Sequence, residues 1–318
     1  MEKQKDFYQL EKEIQVIYQQ IQKLSENEDG AAETEIKKLR TDINEEWKKL
    51  VPLFSPLHHV QIARHPQRPY TLDYMNALVE DFVEFHGDRR AGDDAAIVAG
   101  FGFYKGQTTA FIGHQKGRTT RNRLIRNFGQ PNPEGYRKAL RVMKLAEKFG
   151  YPVVTLIDTP GAYPGIQAEE RGQAEAIAFN LKEIANLEVP VVNLVIGEGG
   201  SGGALAIGVG DELLMLQYSF YSVISPEGCA AILWNDQEAM SQATENLHFL
   251  PEDLKKFNIV DTIIPEPPGG AHVDWETTFR HVDEALTEVL GRLKKKDKKK
   301  LLDDRYEKYR NIGIYKTE

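Results

Sequence analysis

The stretch from Pro190 to Val209, PVVNLVIGEGGSGGALAIGV, decides how the chain is expected to fold. Its opening apolar run predicts a strand over Pro190–Ile196, because a continuous apolar run bounded by turn residues is typical of a strand buried on both faces. Five glycines follow within residues 197–203, and Ala204–Val209 then predicts a short helix. A buried strand, a glycine-rich turn and a helix in this order indicate an α/β protein with a covered sheet.

The same alternation of strands and helices extends in both directions from this stretch. The other predicted strands are Ala96–Phe103, Gln107–Gly113, Pro152–Asp158, Glu212–Leu216, Tyr221–Ser225 and Ile259–Ile264. The other predicted helices are Pro133–Phe149, Ala168–Leu187 and Trp275–Leu293. Strands separated by helices place this part of the chain in the α/β class.

The two ends of the chain have a different pattern. Apolar side chains recur at spacings of three and four at Leu10, Ile14, Ile17, Ile21 and Leu24, and again at Ile36, Leu39, Ile43, Trp47 and Leu50. With the acidic turn at 27–30 between them, these stripes predict a helical hairpin that packs either on its own chain or on a partner. We divide the chain into a hairpin (1–52), a main domain (53–294) and a polar, lysine-rich C-terminal tail (295–318). The tail lysines are expected to be solvated or to meet an anionic partner.

The composition narrows the class of protein. A net charge of −8 over 318 residues argues against general affinity for nucleic acid or anionic membranes. Cys229 is the only cysteine, so neither a disulfide framework nor a cysteine zinc site is expected from this chain, and no metal site is predicted. The polar N-terminus and the short apolar runs predict a cytoplasmic protein without a membrane span.

The glycine-rich turn Gly197–Ala204 allows several interpretations. Glycines let the backbone approach a ligand closely, and N–H groups at the start of the next helix suit an anion or a developing oxyanion. The spacing also matches a dinucleotide fingerprint, although glycines interrupt the following helix. Around Ser201 it matches a nucleophile elbow, for which Asp211 and His248 or His272 are the candidate partners. A tight turn without a ligand is the structural alternative.

Two further segments are candidate ligand contacts. Asp158–Gly165 (DTPGAYPG) predicts a stiff loop at a strand end, which is either a ligand wall or a plain connection. The segment that follows His114 carries five positive side chains and no acid, at Lys116, Arg118, Arg121, Arg123 and Arg126. Such a segment suits a polyanion such as nucleotide phosphates, or is a solvated loop. ATP is not expected as a direct ligand, because the chain contains no P-loop.

These segments together resemble one family. The matching motifs are Ala63–Tyr74 (ARHPQRPYTLDY), Ile112–Arg118 (IGHQKGR), Asn127–Gly129 (NFG), Pro133–Leu140 (PEGYRKAL), Ile157–Gly165 (IDTPGAYPG), Ala168–Gln173 (AEERGQ), Val195–Gly208 (VIGEGGSGGALAIG) and Tyr221–Cys229 (YSVISPEGC). In this order they resemble the alpha subunit of the bacterial acetyl-CoA carboxylase carboxyltransferase.

The resemblance implies a crotonase-like fold, a spiral of repeated ββα units with helices outside. It implies a partner beta subunit in an alpha2beta2 heterotetramer, with zinc only in the beta subunit. Carboxybiotin would be presented by the biotin carboxyl carrier protein after biotin carboxylase has loaded it, and the product would be malonyl-CoA for fatty acid synthesis. No cofactor would be bound covalently by this chain.

The resemblance also implies roles for residues. The backbone amides of Gly202 and Gly203 would form an oxyanion hole for the biotin ureido oxygen, with the thioester oxygen held by the beta subunit, or the reverse. Gly199 and Gly200 would shape the approach, and Gly161 and Tyr163 would wall the pocket. The expected substrate contacts in the basic segment are His114, Lys116, Arg118, Arg121 and Arg126.

Two other functions stay open on the sequence. A different crotonase-type acyl-CoA enzyme, a hydratase or a decarboxylase, would work without a beta subunit or biotin. A non-catalytic scaffold would only position a partner.

Overall fold

A computed structural model describes residues 6–25, 30–236 and 239–313 of the chain. The strands are β1 (Glu80–Glu84), β2 (Ile97–Tyr104), β3 (Gln107–His114), β4 (Val153–Thr159), β5 (Val191–Gly200), β6 (Glu212–Leu216), β7 (Phe220–Ser222) and β8 (Thr262–Ile264). The helices are α1 (Phe7–Ser25), α2 (Gly30–Leu50), α3 (Pro56–Ala63), α4 (Thr71–Leu78), α5 (Thr120–Ile125), α6 (Pro133–Phe149), α7 (Ile166–Glu170), α8 (Gln173–Ala185), α9 (Ser201–Leu205), α10 (Pro226–Trp234), α11 (Met240–Asn246), α12 (Pro251–Lys256), α13 (Trp275–Leu293) and α14 (Lys298–Arg310). None of these helices is both long and apolar enough to cross a membrane.

One mixed sheet organises these elements. Its order is β1-β2-β3-β4-β5-β6-β8, and β7 pairs with the far end of β5. The pairs β1–β2 and β2–β3 are antiparallel, and every pair from β3 onward is parallel. The central strands β4 and β5 are buried at every residue, which agrees with their unbroken apolar sequences. The carboxyl ends of β3, β4 and β5 therefore lie side by side.

Helices cover both faces of this sheet. One apolar layer joins α6, α8 and α9 to the sheet through residues such as Tyr136, Met143 and Ile184. The other joins α4 and α13 to the opposite face through residues such as Tyr74, Val282 and Leu290. Burial on both faces fixes the strand positions and leaves ligand access to the strand ends.

Three predicted boundaries near the site are corrected. The helix predicted over Ala168–Leu187 is two helices, because Gly172 at φ +85° breaks it. Strand β5 continues to Gly200, beyond the predicted end at Ile196. The following helix begins at Ser201, before the predicted start at Ala204. The glycine-rich turn is thus the end of a strand joined directly to a helix N-terminus.

The N-terminal helices pack on the rest of the chain. Phe7 of α1 and Trp47 of α2 are fully buried and stack with ring centroids 5.9 Å apart. They share an apolar cluster with Ile62 and Tyr218. Of the two arrangements left open by the sequence, packing on the same chain is the one present. Residues 27–29 of the predicted acidic turn lie outside the described residues.

Five of the six lysines at 294–300 in the predicted polar tail are exposed, and the tail also contains a packed helix. Residues 298–310 form α14, which buries Leu301 and Arg305. The Arg305 guanidinium bonds Asp211 at 2.9 and 2.8 Å and donates to backbone carbonyls at the end of α8 and before β5. The lysine run that suggested solvation hides this arginine, which pairs inside the protein. Residues 314–318 lie outside the described residues.

Candidate functional site

The site is built where β5 meets α9. Strand β5 ends at Gly200, and Ser201 opens the helix with φ +50°, a left-handed conformation that is uncommon for a residue with a side chain. Ser201 is exposed, Gly202 is half-buried and Gly203 is buried. A sharp strand-to-helix turn of this kind aims the first helical N–H groups away from the sheet.

Two glycine turns touch backbone to backbone at this point. A Cβ at Gly200 would lie 2.2 Å from the carbonyl oxygen of Pro160, and one at Gly203 would lie 2.4 Å from the amide nitrogen of Ala162. Thr159 Oγ1 donates to the Gly161 carbonyl at 2.9 Å and accepts from the Gly161 N–H at 3.1 Å, which fixes the second turn. The glycines are therefore required by close approach.

The amides of Gly202 and Gly203 have no acceptor among the described residues, as expected for the first turn of a helix. Gly202 also has space beside it, since an added Cβ would meet only Ile177 at 3.7 Å. Two unpaired N–H donors in consecutive residues have the chemistry of an oxyanion hole.

Gly161 and Tyr163, which were predicted to wall the pocket, lie in the loop after β4, and Gly199, which was predicted to shape the approach, lies near the end of β5. Gly161 is buried with φ +147°, and a Cβ there would come within 4.0 Å of the Gly200 oxygen. Tyr163 is half-buried, and its N–H donates to the Pro131 carbonyl at 3.0 Å. Gly199 leaves room for the ring of Tyr221, which an added Cβ would approach to 2.4 Å.

His114 lies beneath the turn rather than on its surface. The ring is fully buried beside the backbone of Gly203 and Leu156, and neither ring nitrogen makes a well-formed hydrogen bond within the described structure. Burial lowers the pKa of His114 to about 3, so the ring is neutral. The predicted direct contact with substrate is corrected, because a fully buried ring supports the turn from inside.

Lys116 belongs to a group of charges in which Asp158 and Glu198 are buried and the other members are partly exposed. Its Nζ lies 2.8 Å from Asp158 Oδ1 and 2.7 Å from Glu198 Oε1. Glu198 also accepts from Arg64 Nε at 2.8 Å, and Arg64 reaches Glu227 at 2.5 Å. We call Arg64, Lys116, Asp158, Glu198 and Glu227 the charge cluster. It lies at the carboxyl ends of β3, β4 and β5, under the glycine turns.

The electrostatics of the charge cluster keep its central pair ionised. Burial opposes charge on Glu198, but the neighbouring Lys116 and Arg64 outweigh it and lower the pKa of Glu198 to about 2. Burial likewise opposes charge on Lys116, yet Asp158 and Glu198 raise its pKa above the ordinary value. The predicted role of Lys116 in binding substrate is corrected, because its ammonium group is held between two carboxylates.

Of the three arginines predicted to contact substrate, two are bonded to other groups of the chain and one is not bonded to any described residue. Arg118 pairs with Asp73, donates to the Pro66 carbonyl at 3.1 Å and stacks over Tyr70 at 4.5 Å. Arg126 donates to the Ala95 carbonyl at 2.7 Å. Arg121 is exposed and makes no ion pair or hydrogen bond with the described residues. Arg121 is thus the predicted arginine that is free to meet an anionic ligand, whereas Arg118 and Arg126 hold loops in place.

Sequence reasoning missed the acidic members of the charge cluster. Asp158, Glu198 and Glu227 each stand alone in a separate motif, and each is distant in sequence from its cation. For Asp158 and Glu198 the signal was a single acid at the end of an otherwise apolar strand, since a lone charge there needs a buried partner.

A second polar cluster has a metal-like donor set. Ligand atoms of Glu11, His65 and His272 all lie within 4.8 Å of one another. His65 Nδ1 accepts the Gln67 N–H at 3.3 Å, which leaves the proton on Nε2, 3.5 Å from Glu11. His272 Nε2 lies 2.9 Å from the other oxygen of Glu11. The arrangement is thus accounted for by a carboxylate that receives two imidazole N–H groups and ties α1 to the main domain.

Comparison with known proteins gives a consistent result over almost the whole length. The model of a family described as acetyl co-enzyme A carboxylase carboxyltransferase-like matches residues 2–313. The acetyl-coenzyme A carboxylase carboxyl transferase subunit alpha of Geobacter metallireducens is 52% identical over 312 residues, 97% of this chain and 98% of that protein. The protein of the same name from Thiobacillus denitrificans is 58% identical over 256 residues, 80% of each chain.

Solved structures with the same fold are more distant in sequence. Transcarboxylase 12S, with methylmalonyl-coenzyme A and methylmalonic acid bound, gives a TM-score of 0.55 at 21% identity over 70% of this chain and 42% of that one. A Pseudomonas malonate decarboxylase hetero-tetramer in complex with coenzyme A gives a TM-score of 0.56 at 16% identity. The match covers 68% of this chain and 86% of that one. This likeness confirms the predicted crotonase-like α/β fold.

Proposed function

The chain belongs to the acetyl-CoA carboxylase carboxyltransferase family, and from this premise we propose that it is the alpha subunit, which supplies one half of the site that converts acetyl-CoA to malonyl-CoA. The observation that carries the proposal is the match to named alpha subunits at 50–58% identity. Malonyl-CoA would feed fatty acid synthesis. An alpha subunit implies a partner beta subunit.

The chemistry needs stabilised oxyanions rather than a protein base. The N–CO2 bond of carboxybiotin breaks to give CO2 and a biotin anion, which takes a proton from the acetyl methyl group. The acetyl-CoA enolate then forms a carbon–carbon bond to CO2. Both anions carry charge on oxygen, where one preorganised N–H donor lowers the barrier by about 3 kcal/mol.

Residues of this chain fit that chemistry. We assign the free amides of Gly202 and Gly203 to the biotin ureido oxygen, and the thioester oxygen to the beta subunit. His114 is buried and neutral, and Lys116 is a paired cation, so neither acts as a general base at the turn. The scheme agrees with this, because the biotin anion itself removes the proton.

The assembly is the finer part of the proposal. Two alpha and two beta subunits would form the enzyme, with a zinc ribbon in beta. The carrier protein would bring carboxybiotin from biotin carboxylase. The cytoplasmic location expected from the sequence stays a prediction.

The test is reconstitution. The purified chain is mixed with the beta subunit encoded in the same genome, acetyl-CoA and either free or carrier-bound carboxybiotin, and malonyl-CoA is measured. Product is expected only with both subunits. Hydration of enoyl-CoA or decarboxylation of malonyl-CoA by the chain alone would instead identify the rival acyl-CoA enzyme.

A further inference from the structure

The charge cluster is not used by the oxyanion chemistry, yet it lies directly under the turn that carries it. Its five members come from five different motifs, and three of them follow or end the neighbouring strands β3, β4 and β5. Buried ion pairs are costly to form and contribute little net stability compared with apolar residues of the same size. Such an arrangement therefore calls for a reason other than stability.

Glu198 is fixed at both its backbone and its side chain. Its N–H donates to Asp158 Oδ1 at 3.0 Å, and its carboxylate binds Lys116 and Arg64. The residue before it has no freedom either, because a Cβ at Gly197 would lie 2.4 Å from Asp158 Oδ1. The backbone conformation at residues 197 and 198, immediately before the turn begins at Gly199, is therefore held by these contacts.

The turn itself cannot hold its own position. Glycine has more conformational freedom than any other residue, so a segment with four glycines among residues 199–203 is not self-ordering. Ser201 adds a strained φ of +50°. Strain of this kind persists only when the surrounding structure over-determines it, and the charge cluster is one constraint at the start of the turn, beside the pairing of residues 198–200 with β7.

We propose that Glu198 and Lys116 are positioning residues that hold the Gly199–Gly203 backbone so that the Gly202 and Gly203 amides point at the reacting oxygen. Neither side chain touches substrate. Arg64, at the end of α3, and Glu227, in the first turn of α10, brace the pair from outside. The expected effect on kcat rests on the proposed function, whereas the expected ordering of the Gly199–Gly203 backbone does not.

The decisive variants are two isosteric carboxylate-to-amide changes. Glu198→Gln removes a charge from the cluster, and Asp211→Asn removes one from the matched buried pair with Arg305 at the other end of β5. In the alpha–beta enzyme, Glu198→Gln is expected to lower kcat on the order of 10²-fold. KM for acetyl-CoA should change less than about threefold, because CoA contacts are untouched. Asp211→Asn should lower the melting temperature and leave kcat unchanged.

A second measurement does not depend on activity. Amide hydrogen exchange of the segment 199–205 should speed up at least about tenfold in Glu198→Gln and stay unchanged in Asp211→Asn. Lys116→Met serves as a second variant, and the double variant should be no worse than the poorer single one if the pair acts as a unit.

The outcomes separate the two claims. A wild-type mixture that makes no malonyl-CoA removes the proposed function, while the exchange experiment still decides the positioning role. An active wild type whose Glu198→Gln form keeps its kcat, or whose segment 199–205 exchanges at the wild-type rate, overturns the positioning role alone.

Discussion

Strand β5 carries a buried cluster of charges at each end, and the two clusters differ in what they leave unpaired. At the amino end, Arg305 of α14 bonds Asp211 and several carbonyls, and Asp211 also accepts the Val191 N–H at 2.7 Å. At the carboxyl end, the members of the charge cluster pair with one another, but within residues 6–25, 30–236 and 239–313 no group accepts a hydrogen bond from the two amides just beyond it. Full pairing stabilises one end of the sheet, and incomplete pairing at the other leaves donors for a ligand.

The largest effect is expected at the amino end. Arg305→Met leaves Asp211 buried and uncompensated, which should lower the free energy of unfolding by about 3–5 kcal/mol. Chemical denaturation of the isolated chain measures this. Turnover per folded enzyme should not change. A selective loss of kcat with normal stability would break the comparison, because it would make this end part of the catalytic machinery.

The next effect is expected at the carboxyl end and concerns activity. Gly202→Pro removes one free N–H, which should lower kcat by about 10²–10³-fold if that donor holds an oxyanion. Gly202→Ala is the matched control, because it keeps the N–H and its Cβ has 3.7 Å of space. Equal activities of the two variants, with assembly intact, would count against the oxyanion assignment.

A smaller effect on stability is expected where α1 meets the main domain. Burial opposes charge on Glu11, but hydrogen bonds from His272 and His65 lower its pKa to about 2, whereas burial lowers the pKa of His272 below its ordinary value. A carboxylate with a lowered pKa contributes stability above about pH 4.5 that is lost as the pH falls towards 2. The buried neutral His272 contributes stability above about pH 6.5, and this contribution is also lost as the pH falls.

This contact can be measured by comparing wild type with Glu11→Gln. At pH 7 the variant should be about 1.5–3 kcal/mol less stable, because hydrogen bonds to a charged group are lost. At pH 4 the difference should be smaller. If the difference in free energy of unfolding between wild type and Glu11→Gln grows as the pH falls, the stability lost by wild type in acid does not come from the Glu11 contact.

The smallest effect is expected at Arg121. Arg121→Ala should raise KM for acetyl-CoA about two- to fivefold, since an exposed charge contributes weakly. Acetyl-CoA that lacks the 3′-phosphate tests whether this phosphate is the contact, in which case wild type and variant should treat the analogue alike. Because Arg118 already pairs with Asp73, Arg118→Ala should lower the free energy of unfolding and leave KM for acetyl-CoA nearly unchanged.

The sequence allowed the sheet to be predicted better than the site. Apolar runs such as Pro152–Asp158 and helical periodicity such as Trp275–Leu293 report burial directly, and β4 and α13 follow them closely. The glycines 199–203 predicted a backbone that approaches a ligand, and the close approach present in the structure is to the backbone of Pro160 and Ala162. These features depend on local sequence, which a single chain displays.

The errors concern partners that are distant along the chain. Lys116 was taken for a ligand contact because a run of cations is visible, whereas its partner Glu198 is 82 residues away. His114 was placed among the substrate contacts because it ends a strand beside the basic segment, but its ring is fully buried. The sequence analysis singled out the six lysines at 294–300 and gave Arg305 no role, whereas Arg305 is the buried cation of this segment. In each case a tertiary pairing decided the role, and composition does not report pairing.

The position of Arg305 in the chain has a consequence for biosynthesis. It pairs with Asp211, which a ribosome would complete 94 residues earlier. Until Arg305 emerges, the nascent sheet has an uncompensated carboxylate and unpaired carbonyls at the edge that α14 later closes. The main domain therefore reaches its final stability only after Arg305 has emerged and α14 can pack on it.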